Sequence, residues 1–186
     1  ATLTRRDYVP RDDHALERIP GSLWLDFKAF SDPLRPDQSY MMSSNEHYIN
    51  LMKQMDVRKS DLVVVYDKYR MISAPRAYWM IKTFGTPDVY ILNGTFAKWQ
   101  KEGRPIESGD KPSAWRKEHK TQPKGDDFDY KIDEKKILTF DDIEQIVKSN
   151  EAKSDDQRLP MFDSRLTKYY HRGHIPTSKS LPLTEV

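Results

Sequence analysis

Between residues 40 and 105 apolar positions follow two alternating patterns. SSNEHYINLMKQMDV places Tyr48, Leu51, Met52 and Met55 at i, i+3, i+4 and i+7, which predicts a helix with one apolar stripe. Ser43 and Glu46 have the spacing of a capping box at its start. LVVVY, Leu62 to Tyr66, is a continuous run rich in β-branched residues and predicts a strand covered on both faces. Helical spacing returns after a short polar loop: Ser73 and Pro75 suit a helix start, and Ala77, Met80, Ile81 and Phe84 form a stripe that Gly85 ends. DVYIL, Asp88 to Leu92, predicts a second buried strand, and Asn93-Gly94 turns the chain into a helix bearing Phe96 and Trp99, stopped by Gly103. Strand, helix, strand, helix in short units implies an α/β fold with a parallel sheet.

The pattern weakens on either side. The first twenty residues are polar and rich in Arg and Asp, and SDPLRPDQS reads as loop. From Arg104 to Asp133 no period survives, and residues 108–133 read as an inter-domain linker in which Trp115 stands among charges as a possible anchor. Order resumes at ILTFDDIEQIVKS, where Thr139 is placed to cap a helix with Phe140, Ile143 and Val147 along one stripe, and a short strand follows at LPMFDSR. Arg18-Ile19-Pro20-Gly21-Ser22 and His174-Ile175-Pro176-Thr177-Ser178 each precede an apolar segment at comparable places. This pairing reads as a duplication whose second copy is incomplete. The domains expected are residues 1–107, a linker 108–133, and the start of a second copy at 134–186.

Composition removes several functions. The 186 residues hold 31 basic and 29 acidic side chains, a formal net charge of +2, so no strong field points to nucleic acid. The longest apolar runs are too short to span a bilayer. There is no cysteine, which excludes disulfides, thiolate metal sites and a cysteine nucleophile within these residues. The chain opens ATLTRRDY without an initiator methionine, so the expectation is of processing upstream or of a start inside a longer polypeptide.

The motifs RIPGS, VVVYD…SAPRAYWMIKTFG, VYILNGTFAKWQKEGRP and FDSR…GHIPTSKSLPLTE together resemble the tandem rhodanese-like family of thiosulfate and mercaptopyruvate sulfurtransferases. The resemblance implies a three-layer fold, a parallel sheet flanked by helices, with the first copy expected to lack the strand and helix that precede this region in the family and the second copy to be cut short. It also implies that sulfur passes through a cysteine persulfide on a loop at a strand's mouth. Asp67 occupies that position in the first copy, as in the inactive first domain of tandem members, and the second copy's cysteine loop would lie beyond Val186. Arg18 replaces the family's usual His, Asn93 an Asp and Thr95 a Gly, with little consequence expected for the fold. Tyr169 stands where the family carries an anion-gripping Arg.

Chemistry agrees with that implication. Persulfide transfer needs a polarizable thiolate in a ring of backbone N–H groups, and a carboxylate oxygen cannot replace it. A second anion about 4 Å from the Asp67 carboxylate would be repelled by roughly 4 kcal/mol at an effective dielectric of 20. Asp67 is therefore expected to accept loop N–H groups structurally; a phosphoryl-accepting role lacks a flanking acidic metal site, and a Cys-x5-Arg phosphatase is excluded, Ser73 being the sixth residue on. The candidate binding loop is Asp67, Lys68, Tyr69, Arg70, Ser73 and Arg76, with no catalytic residue. His171 and His174 have the spacing of a metal pair, but with no third ligand near they are assigned to a turn and a loop hydrogen bond. Trp24, Trp79 and Trp99 are expected in the core. The function expected is a catalytically inactive rhodanese-like protein, a structural or partner-binding subunit without cofactor or metal, mitochondrial or alternatively cytoplasmic. The alternative is the non-catalytic portion of an active thiosulfate or 3-mercaptopyruvate sulfurtransferase. A third is an anion-binding module.

Overall fold

A computed structural model describes residues 10–31, 41–110 and 127–182. The chain separates into two compact units, Ala1–Asp133 and Glu134–Val186. In the first, the described order is α1 (Pro10–Leu16), α2 (Asn45–Met55), β1 (Val63–Val65), α3 (Ala74–Thr83), β2 (Val89–Ile91) and α4 (Thr95–Lys101). In the second it is α5 (Phe140–Glu151), β3 (Phe162–Asp163), α6 (Thr167–Tyr170) and β4 (Lys179–Ser180), with 3-10 turns at Glu134–Lys136 and Asp155–Gln157. The SDPLRPDQS loop beyond Ser31, Trp115 and the last residues of LPLTEV lie outside the described residues.

β1 and β2 pair in parallel, with Val63 opposite Val89 and Val65 opposite Ile91. A parallel pair needs a crossover, and α3 supplies it, packing on both strands. The α3 stripe works as its spacing implies: Ala77, Met80, Ile81 and Phe84 are all buried. Tyr48 and Met52 of α2 close the core from the other side, with the Tyr48 ring stacked on Phe84 at 3.8 Å between centroids and edge-on to Tyr130 at 5.1 Å.

Four expectations need correction, and one helix adds to the predicted elements. The β1 run is not covered on both faces: Val64 is 50% and Tyr90 of β2 53% exposed, because α3 covers one face and the intervening side chains point the other way. The cap of α2 is Ser44, which accepts the His47 N–H, whereas Ser43 is buried one residue earlier. The Pro10–Leu16 segment is helical although it carries no clear apolar period. Trp24 and Trp79 are 37% and 39% exposed and lie at the surface. Phe140 does not join Ile143 and Val147, which are half-buried, but stands 83% exposed at the first residue of α5; the Thr139 cap itself forms, with Asp142 completing the box.

The stretch read as linker behaves differently over its described end. Residues 127–133 are tied to the first unit: Lys59 donates its N–H to the Asp127 carbonyl, Asp133 to that of Thr83, and Ile132 to the Asn45 side chain. Tyr130 is buried and donates its hydroxyl to the Val57 carbonyl at 2.9 Å. Charge on alternate residues hides this from a period analysis, since Phe128, Tyr130 and Ile132 are the apolar half of a two-residue alternation.

The two IPxS segments adopt the same turn. Ser22 N–H donates to the Ile19 carbonyl at 3.0 Å and Ser178 to that of Ile175 at 3.1 Å. Each has Pro second and a positive φ third, 74° at Gly21 and 64° at Thr177, which is the requirement of a type II turn. In the second unit Asn150, fully buried, anchors this turn: its amide donates to Thr177 Oγ1 and the Leu159 carbonyl, and its oxygen accepts the Leu159 N–H.

Replacing Tyr130 by Ala is expected to destabilise the first unit by about 3 kcal/mol, the scale of a large-to-small change in a packed core. Urea unfolding followed by a first-unit probe such as Trp79 fluorescence checks this; an unchanged midpoint would mean that residues 127–133 contribute nothing to the core.

Candidate functional site

β1 delivers Tyr66 and Asp67 to the C-terminal edge of the parallel pair, where α/β proteins form their sites. The chain then curls through residues 68–73 into α3. One oxygen of Asp67, Oδ2, accepts the N–H groups of Ile72 at 2.7 Å, Ser73 at 2.8 Å and Ala74 at 2.9 Å. A helix start leaves such donors without intrahelical partners. Ser73 occupies the N-cap position of α3 but makes no cap with its hydroxyl, so the carboxylate six residues upstream does that work. The backbone of the same loop serves a second helix: the Asp67 carbonyl accepts the Phe96 N–H at 2.9 Å and that of Lys68 the Ala97 N–H at 3.1 Å, at the start of α4. Asp67 thus joins β1, α3 and α4.

The other candidate residues divide. Lys68 turns away from the loop's amides, giving its ammonium to the Asp13 carboxylate at 2.7 Å and the Asp13 carbonyl at 2.8 Å on α1. Tyr69 and Arg70 face solvent, together with the exposed Met71 and Ile72. Ser73 contributes its N–H, and Arg76 is half-buried in the first turn of α3. The structure brings together Asp67 and the backbone of Ile72, Ser73 and Ala74; it does not gather the loop's cations around one point.

Two further groups of the first unit were not among the candidate site residues. Tyr66 hydroxyl lies 2.7 Å from Ser22 Oγ and accepts the Ile19 N–H, and Ser22 Oγ is 3.4 Å from His14 Nε2. Burial, reinforced by the Arg18 and Lys68 cations, lowers the His14 pKa below its ordinary value. Arg18 is the second. Only 1% exposed, it pairs with Glu107 Oε1 at 3.2 Å and donates to the Gly109 carbonyl at 2.6 Å, while Glu107 Oε2 accepts the Gly21 N–H. The buried Arg18 guanidinium is thus matched by a partly buried acid, as a charge taken out of water requires. A separation of 89 positions between Arg18 and Glu107 leaves no sequence signal of that pairing.

In the second unit Arg165 grips Asp163, with Nε 3.0 Å from both carboxylate oxygens and Nη2 at 2.6 Å from Oδ2, and also reaches the Gly173 carbonyl. These hydrogen bonds lower the Asp163 pKa to about 2. The pair edges an open cavity of about 850 Å³ together with Ile143, Met161, His174 and Ile175. His174 stacks on Tyr170 at 3.8 Å and its Nδ1 meets the Tyr170 carbonyl at 3.0 Å; the His171 ring lies edge-on to Tyr170. Tyr169 is half-exposed, with Lys168 and Arg172 near its ring. Among the described residues no helix is long and apolar enough to cross a membrane.

Comparison with known proteins places this arrangement. The rhodanese-like domain family matches residues 5–102. The 3-mercaptopyruvate sulfurtransferase of Escherichia coli (strain K12) is 30% identical over 172 residues, covering 90% of this chain and 57% of that protein. The thiosulfate sulfurtransferase of Gallus gallus is 29% identical over 178 residues, covering 94% and 58%. The chain thus spans less than two thirds of the length of these curated relatives. Among solved structures, the crystal structure of SseA from Escherichia coli, described as a 3-mercaptopyruvate sulfotransferase with the rhodanese fold, superposes with a TM-score of 0.79 at 26% identity, over 97% of this chain and 65% of that one. The sub-stoichiometric sulfur transferase subunit of yeast mitochondrial complex I shares the fold, with a TM-score of 0.69 at 22% identity over 96% of this chain and 66% of that one.

Removing the Asp67 carboxylate as Asp67→Ala is expected to lower the stability of the first unit by about 2 kcal/mol, since three N–H donors lose a charged acceptor; urea denaturation measures it. His14 sets a pH dependence of known sign. Its folded pKa is lowered, so the stabilisation is present above the unfolded value near 6.5 and is lost as pH falls through the folded value. Unfolding midpoints at about pH 5 and about pH 7 should therefore differ less in His14→Asn than in the parent chain, and an equal difference in both would remove His14 from the account.

Proposed function

The chain belongs to the rhodanese-like domain family, and we propose that it is a member without catalysis of its own, a structural or partner-binding subunit of a larger assembly. The observation that carries the reading is the Asp67 carboxylate seated on the amides of Ile72, Ser73 and Ala74. In a sulfurtransferase loop those donors would steady a thiolate and an arriving anion. Here an oxygen of the protein's own takes them up, and its charge opposes a second anion. No cysteine is present within these residues to hold a sulfane sulfur. The loop is thus a rigid connector whose exposed Tyr69, Arg70, Met71 and Ile72 leave it open to a protein contact rather than to chemistry. The compartment proposed with it is the mitochondrion, that of the yeast structural neighbour.

A second reading is favoured by the share of its relatives that the chain spans: these residues are the non-catalytic portion of an active thiosulfate or 3-mercaptopyruvate sulfurtransferase. The mass of the native polypeptide separates the two. A polypeptide of about 21.9 kDa supports the inactive subunit, and a longer one with a cysteine in a second loop supports the enzyme.

The purified 186-residue chain should form no thiocyanate from thiosulfate and cyanide above a protein-free blank, and thiosulfate, sulfite and phosphate should leave its melting temperature unchanged. Turnover that survives removal of contaminating enzymes would overturn the proposal.

A further inference from the structure

From Ser164 to Pro182 the second unit carries Arg165, Lys168, Arg172 and Lys179 and no acidic residue. Arg165 is neutralised by Asp163, whereas among the described residues no ion pair is formed by Lys168, Arg172 or Lys179. Lys168 Nζ lies 5.0 Å and the Arg172 guanidinium carbon 5.8 Å from the centroid of the Tyr169 ring, and neither has a carboxylate partner among the described residues. A ring holds a cation without cancelling its charge, so two positive charges are kept in place and left available. Tyr169 itself is 41% exposed, and Leu166 and Ile175, just before and after it in the chain, are exposed apolar side chains. Exposed Tyr and Arg with apolar neighbours form the composition of protein interfaces.

We infer that this face, centred on Lys168, Tyr169 and Arg172, docks an acidic segment of a partner protein, its carboxylates paired with the ammonium and the guanidinium. The inference rests on the reading of the chain as a partner-binding subunit and adds the chemistry of the partner. Nucleic acid is a poorer match. A protein held by phosphates engages many more cations than these, and the Tyr169 ring that would stack a base already carries two. The whole chain, at a net charge of +2, lacks the extended field that attracts such a polymer. An anionic membrane surface calls for a cluster of about four to eight Lys and Arg residues, more than are uncompensated here.

Fluorescence anisotropy with a labelled deca-glutamate peptide at low ionic strength tests this on the full chain. The parent protein should bind, and Lys168→Glu/Arg172→Glu should weaken binding at least about tenfold, as expected when charge-assisted pairs become repulsive. Lys101→Glu/Lys148→Glu, which makes the same change in net charge elsewhere, should bind as the parent does. The neutral pair Lys168→Gln/Arg172→Gln should fall between and guards against a folding defect, which circular dichroism would also reveal. No binding by the parent, an equal loss in the control pair, or tighter binding of a ten-residue oligothymidylate or of phosphatidylserine vesicles would each overturn the inference. Thiocyanate formation assayed on the same preparation keeps the two proposals apart: turnover would count against the inactive subunit without touching the peptide result.

Discussion

Three amide donors converging on one carboxylate oxygen organise the first unit's edge. Loop N–H groups at the start of a helix must find acceptors, and Asp67 supplies a charged one from the end of the preceding strand. Because its own carbonyl meanwhile accepts the first turn of α4, one residue fixes where a strand ends and where two helices begin. The three loop donors are thus taken up by a carboxylate of the chain itself, at the point where β1 passes into α3.

Long-range pairs hold the rest of that unit around the loop. Arg18 and Glu107 tie the segment after α1 to the segment after α4, and Lys68 ties the loop back to α1 through Asp13. The two ion pairs differ in kind. The Arg18 side chain is almost wholly buried and is held by several acceptors at once, so loss of Glu107 would strand a charge in the interior. Exposed pairs such as Lys98 with Glu102 contribute little beyond a local helix preference. Tyr130 completes the core from the far end of the unit, its ring edge-on to that of Tyr48.

The second unit repeats one device of the first with a different residue. A turn of the form Ile-Pro-X-Ser demands a left-handed third position; Gly21 adopts it freely, whereas Thr177 carries a branched side chain there and is held by Asn150. The unit's short parallel pair sets Phe162 opposite Lys179 and Asp163 opposite Ser180, and Arg165 clasps Asp163 just after β3. Much of its apolar surface, including Phe140 and Phe162, remains exposed.

The sequence by itself determined the strand–helix–strand–helix order that follows Leu62, the helix stripe from Ala77 to Phe84, the Thr139 cap and the position of Asp67, because each rests on neighbours a few residues apart and on period alone. The likeness of its motifs to a family added the fold. What tertiary structure decided was which groups met: that Lys68 goes to Asp13 rather than to the loop, that Arg18 needs Glu107, that Tyr130 belongs to a core and not a linker, and that Trp24 and Trp79 stay at the surface. Such pairings span tens of residues, and no local period encodes them. They follow from packing, which selects partners only once the chain has closed on itself.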